Sequence, residues 1–399
     1  MPESPSDFET LIGPDRRRLK RPRGLAAWVT VIAGLVFVGL IALWPVDRPD
    51  LDLSEFGFAE DVARAEVEVA TVGPCSYAPE LNCRQFQFGL LEEPVGEIVI
   101  LEFPDEPGQP ELVEGDVVFL SVSTFDDGTV DFQYADRDRG IVLIVLAIVF
   151  AGAVIALGRL RGVAALFGLV VSIVILLWFI LPAIINGEDA VLVALIGGGA
   201  IALVSLYLAH GYNPLTHVAA LGAFSALVLT TALSWLVLAV AGFSGVATEE
   251  AFFLLALPDL DLNGLLLAGI VLGAIGALDD VTVTQASAVW EVYGANPSLD
   301  SSELYASGLR VGRDHIVSTV NTLLLAYAGA SLPLLILFTL AGQSFGFVAS
   351  SEIVAVEIVR TLVGSIGLVA AVPMTTWLSS RVVKRSGPRT DLPPSRTSP

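Results

Sequence analysis

An α-helical, polytopic membrane protein with a small β domain inserted between its first two helices is the predicted fold class, and three observations predict it. Hydrophobic residues make up 54% of the 399 residues, and the mean hydropathy is +0.74, which sets the class as membrane rather than soluble. The apolar residues gather into about eight transmembrane helices, each near the roughly 20 residues that a crossing needs. Between the first and second lies one long hydrophilic region that alternates apolar and polar residues as strands do.

A basic arm, residues 1–24, comes first and carries RRRLKRPR (Arg16 to Arg23). By the positive-inside rule it holds the amino terminus in the cytoplasm. The apolar segment 25–45, with its span at 25–44, ends IALWPV without the small residues of a cleavage site, so it reads as an uncleaved anchor. The next segment, 46–139, is then extracytoplasmic.

That segment holds 23 acidic and 5 basic residues, nearly all of the net charge of −21. The acidity belongs to one domain, and the absence of a basic face outside the terminal arms excludes nucleic acid as a partner. Five strands are expected in ARAEVEVATV, RQFQFGLL, GEIVILEF, GDVVFLSVS and TVDFQYAD, which predicts a β-barrel-like domain of the OB or SH3-like kind. Cys75 and Cys83 flank the loop CSYAPELNC, a disulfide candidate for an oxidising compartment, with two free thiols as the alternative. FDDGTVD lacks the ligand spacing of a calcium loop, so no metal and no cofactor are expected.

Residues 140–380 form a seven-helix membrane domain with spans at 140–158, 162–181, 190–209, 215–241, 263–280, 315–341 and 361–380, and 381–399 is a basic cytoplasmic tail. This threading puts Arg159, Arg161, Arg310, Arg313 and the tail inside and Glu188, Asp189, Glu249, Glu250, Asp259 and Asp261 outside, with both termini cytoplasmic. Arg360 alone disagrees, and Glu357 stands three residues before it for an i,i+3 pair. Gly269, Gly273 and Gly276 are spaced for close helix packing.

The informative polar residues lie between Ala277 and Tyr327. In GALDDVTVTQASAVWEVYG, Asp280, Thr284, Ser287 and Glu291 make one helical stripe; in GRDHIVSTVN, His315 and Thr319 share a face beside Asp314 and Asn321. Asp279 and Asp280 fall about 24–26 Å along the axis from Asn263, near the far interface of a core about 30 Å thick. Two readings stay open. Either an aspartate N-caps a new helix running along the inner surface, neutralised by Arg310 or Arg313, or the span continues and the carboxylates form a proton or ion site. His210 and His217 bracket HGYNPLTH without a zinc spacing. Protease, hydrolase, Walker and kinase signatures are absent, and adjacent aspartates point about 100° apart, unlike an aspartyl dyad, so no enzyme is expected.

With its inside-out anchor, outer β domain and the segments GALDDVTVTQASAVWEV and GRDHIVSTVNTLLLAYAGASLPLL, the chain resembles the YibE/F-like family of bacterial multi-pass membrane proteins from about residue 25 to 380. The resemblance implies a bacterial cell membrane location and an export role, and it maps a polar segment onto Asp279, Asp280, Thr282, Thr284, Gln285 and Ser287. The function expected is a secondary transporter or permease for a small solute or ion. Its path candidates are those six with Glu291, Arg310, Arg313, Asp314, His315, Thr319 and Asn321. The alternative is a non-transporting assembly partner or sensor that binds a ligand or protein through the acidic domain. Beyond the lipid bilayer, a homo-oligomer or a membrane-protein partner is open.

Overall fold

The computed structural model describes residues 23–45, 61–92, 97–125, 129–255 and 260–386. The basic run before Arg23, Asp126 and Asp127 of FDDGTVD, Asp259 and the tail beyond 386 lie outside the described residues. The chain divides into a β unit, 50–153, and a helical unit, 1–49 with 154–399.

In the β unit, β1 (Asp61–Pro74), β2 (Asn82–Leu90), β3 (Ile98–Pro104), β4 (Val117–Thr124) and β5 (Val130–Arg137) make one antiparallel sheet in the order β3-β2-β1-β4-β5. Period-two alternation builds its core. Ala65, Val67, Phe86, Phe88, Val118 and Leu120 are buried, while Glu66 and Glu68 face out. The sheet curls until Phe103 of β3 meets Tyr134 of β5 edge to face at 6.0 Å. No ladder joins β3 to β5 among the described residues, so where a barrel-like domain is expected the five strands form one curled sheet.

Cys75 and Cys83 are joined in a disulfide. Glu102 of β3 steadies the same loop, accepting from the Ser76 amide and from Gln85 Nε2, both at 2.9 Å. The amide bond from Ser76 holds the Glu102 carboxyl below the usual carboxylate range. Replacing both cysteines by serine is expected to cost about 2–3 kcal/mol, the closure entropy of so short a loop. Hydrogen exchange across β1 and β2 in the intact protein measures it, and unchanged protection would mean that the loop is ordered without the bridge.

The helical unit contains α1 (Arg23–Ala42), the larger part of α2 (Gly140–Ile175), a π turn (Leu176–Ile180), α3 (Leu181–Ile185), α4 (Ala190–His210), α5 (Pro214–Ala241), the short α6 (Glu249–Leu254) and α7 (Leu262–Ala295). It continues with α8 (Ser301–Ala330), α9 (Leu332–Leu340), the short α10 (Phe345–Ser350) and α11 (Glu352–Ser386). Six helices among the described residues are long and apolar enough to cross a membrane, or seven if α8 and α9, bent by 62°, count as one. One of the six is the 46-residue stretch Gly140–Ile185, which if straight would run about 69 Å, twice the hydrocarbon core. It breaks at Arg159, whose φ of 51° is the one positive value at a described non-glycine residue. Gly162 then lies against the Val154 carbonyl, so the chain folds back where the sequence predicts a turn between 158 and 162.

Caps fix several helix starts. Asp189 accepts from Leu192 N, Asn213 from Thr216 N with Pro214 next, and Asp300 forms a capping box with Glu303. The core is the mutual packing of α5, α7 and α11. Small residues permit it: a Cβ on Gly222 of α5 would strike Thr375 of α11 and touch Thr282 of α7 at 3.4 Å. At one end of α11, Glu352 accepts from Ser244 N, Ser244 Oγ and Gly245 N, tying it to the loop after α5.

Three boundaries differ from the expectation. The span expected to end at 280 continues to Ala295, because Thr282, Gln285, Ala286 and Val289 are buried against neighbouring helices and hold the backbone helical. The helix expected from 315 begins at Ser301, under its capping box, and bends at Ser331 just before Pro333. The last begins at Glu352 instead of 361.

Candidate functional site

Because α7 is unbroken through Asp279 and Asp280, neither aspartate starts a helix, and the capping arrangement is not the one observed. The two side chains diverge about 100° around the axis. Asp279 turns to α4, where Ser205 Oγ donates to its Oδ2 at 2.8 Å. Its Oδ1 is buried and has no hydrogen-bond partner among the described residues. Asp280 turns to α8, where His315 Nε2 stands 3.8 Å from its Oδ2. That is beyond hydrogen-bond reach and becomes an ion pair only with a protonated imidazole.

Below this level the expected stripe separates. Thr284 and Glu291 are exposed and Ser287 half-buried, while Thr282 and Gln285 enter the core. Gln285 Nε2 donates to the Gly308 carbonyl at 2.8 Å and to Thr376 Oγ1 at 2.7 Å, so one amide joins α7, α8 and α11. On α8, His315 and Thr319 are half-buried, and Arg310, Arg313, Asp314 and Asn321 are exposed. Arg310 donates to Ser307 at 2.9 Å, and neither arginine pairs with an aspartate among the described residues. The structure thus brings Asp280 and His315 together and leaves Asp314 and Asn321 on another face.

Toward the other end of α7, the face of Asp280 continues as Gly276, Gly273 and Gly269, at helical spacing. Nothing lies within 4 Å of where a Cβ of Gly276 would be; at Gly273 the Tyr327 hydroxyl lies at 3.0 Å, and at Gly269 the Arg360 guanidinium at 3.7 Å. Arg360 NH1 donates to Glu357 Oε1 at 2.7 Å, and its guanidinium lies 5.8 Å from the Tyr327 ring centroid. The glycine face of α7 therefore leaves a groove beside α8 that is open at Gly276 and covered at Gly273 by the Tyr327 hydroxyl and at Gly269 by the Arg360 guanidinium, with Asp280 and His315 at the open end and Arg360, Glu357 and Tyr327 at the other. A cavity of about 460 Å³, lined by Tyr327, Ser331, Glu357 and Thr361 among others, opens at that second end.

The YibE/F-like protein family matches residues 146–385. The chain belongs to this family. Neither a curated protein nor a solved structure matches it. The match covers the whole groove of this YibE/F-like chain and begins beyond the strands of the β unit.

The candidates read from the sequence omitted Glu357, Arg360, Tyr327 and Ser205. Arg360 carries a legible signal, a lone arginine in an apolar run three residues after a glutamate. Ser205 carries none, because only packing of α4 on α7 brings it to Asp279. His217, in the turn HGYNPLTH, is buried, and its Nδ1 lies 2.7 Å from the Tyr207 hydroxyl.

Proposed function

We propose that this membrane protein is a secondary transporter or permease, not an enzyme, whose path for a small solute or ion follows the glycine-floored groove between α7 and α8. The observation that carries the reading is ionisable pairs at both ends of one groove, Asp280 with His315 and Glu357 with Arg360. Such groups are expensive at membrane depth and stand where ions or protons move. The orphaned Oδ1 of Asp279 supports a coupling proton or cation held beside the path. Eight crossings follow when the stretch broken at Arg159 is counted as two and α8 with α9 as one. The basic arm and tail then lie in the cytoplasm, the β unit outside, Arg360 near the outer face and Asp280 near the inner one.

Solute or ion flux by the purified protein in liposomes tests this. Asp280→Asn and His315→Gln are each expected to lower flux at least tenfold with folding intact. Wild-type flux in both variants, or no flux of any solute in the wild type, rejects the path.

A further inference from the structure

The face of α8 turned away from the core carries Arg310, Asp314, Ser318 and Asn321, all exposed and each within one helical turn of the next. Depth makes this unusual. His315 is level with Asp280, about 25 Å along α7 from Asn263, and Asn321 is six residues, about 9 Å, back toward the Asn263 end. Asn321 is thus near the middle of a hydrocarbon core about 30 Å thick, with Ser318 and Asp314 on the way to its edge. Lipid offers such groups no hydrogen bonds, so the face needs a polar cover.

The helical segment Gly140–Gly158 cannot supply one, for it contains no hydrogen-bonding side chain, and α1 packs on α4 and α5 instead. We propose that a second copy of the chain covers this face, α8 against α8, about a two-fold axis along the membrane normal. The stripe is complementary to itself. A two-fold sets Asn321 against Asn321, and an amide is both donor and acceptor. In such a parallel pair the long Arg310 side chain of each copy reaches one turn along the other helix to Asp314, and neither residue has an ion-pair partner in its own chain among the described residues. Beyond Asn321 the same face turns apolar at the exposed Leu325, which extends the contact by packing. The interface does not rest on the transport reading and holds whether or not the protein moves a solute.

Cysteine cross-linking of the full-length protein in native membranes tests it. The only two native cysteines are bonded to each other, so an introduced one is the sole thiol. Asn321→Cys and Ser318→Cys are expected to yield a species of twice the chain mass under mild oxidation, whereas Val228→Cys, on an exposed face of α5, stays monomeric. Asn321→Leu is expected to raise the dimer dissociation constant about tenfold. Three results each overturn the proposal: only monomer at both α8 positions, cross-linking to a species of another mass, or equal cross-linking at Val228→Cys.

Discussion

Gly312→Val is expected to be the most damaging single substitution in the helical unit, lowering stability by about 3 kcal/mol. A Cβ at Gly312 would lie 2.5 Å from Val372 Cγ1 and 2.7 Å from Gln285 Oε1. Val372 is β-branched and fully packed, so it cannot rotate aside. Gln285 is held by its bonds to Gly308 and Thr376 and can move only by losing them. Helix α8 must therefore back away, breaking the bond from the Gln285 amide to the Gly308 carbonyl and so the one contact that joins three helices. Helix propensity acts the other way, since leaving glycine gains at most about 1 kcal/mol, and the clash is the larger effect. Gly329→Val is the control: it sits on the same helix with nothing within 4 Å of its Cβ and is expected to be neutral within about 0.5 kcal/mol. The readout is the unfolding midpoint in detergent with the monodispersity of the purified protein. Equal behaviour of the two variants would show that α8 is not docked through Gly312.

The second large effect is expected at Arg360. Arg360→Met leaves Glu357 without its cation, and breaking a buried pair costs more than the pair contributes. Each side chain is about a quarter exposed, 25% and 26%, so the expected loss is about 2–3 kcal/mol, below the fully buried range. Glu357→Gln is milder, because an amide oxygen still accepts from the guanidinium and the Tyr327 ring still faces it. The double variant Glu357→Leu/Arg360→Met is expected to recover most of the stability, since no charge is left without a partner. A double-mutant cycle on the unfolding free energy measures the coupling, and additive losses would mean that the two groups do not interact.

The sequence by itself determined the elements and the class. Apolar runs of bilayer length and a strand-like alternation in 61–136 are local signals, because hydrophobic burial and backbone hydrogen bonding act on neighbours three or four residues away or fewer. Even the break at Arg159 was legible, for two spans cannot fit in one bilayer without a turn. The polar segment was legible as well, since polar side chains in an apolar context stand out whatever they do.

Tertiary structure alone decided which of those polar groups meet. In the sequence, Asp280, Thr284, Ser287 and Glu291 form one stripe; in the fold the stripe holds at Asp280 and then gives way to Thr282, against Gly222 of α5, and Gln285, which the close approach of Gly308 and Gly312 draws into the core. Ser205 reaches Asp279 across 74 residues of sequence. Arg360 reaches Tyr327 across 33. A helix fixes only the angle at which a side chain leaves its axis; which neighbour fills that angle depends on how closely two backbones can approach, and here glycine sets that distance between helices far apart in the chain.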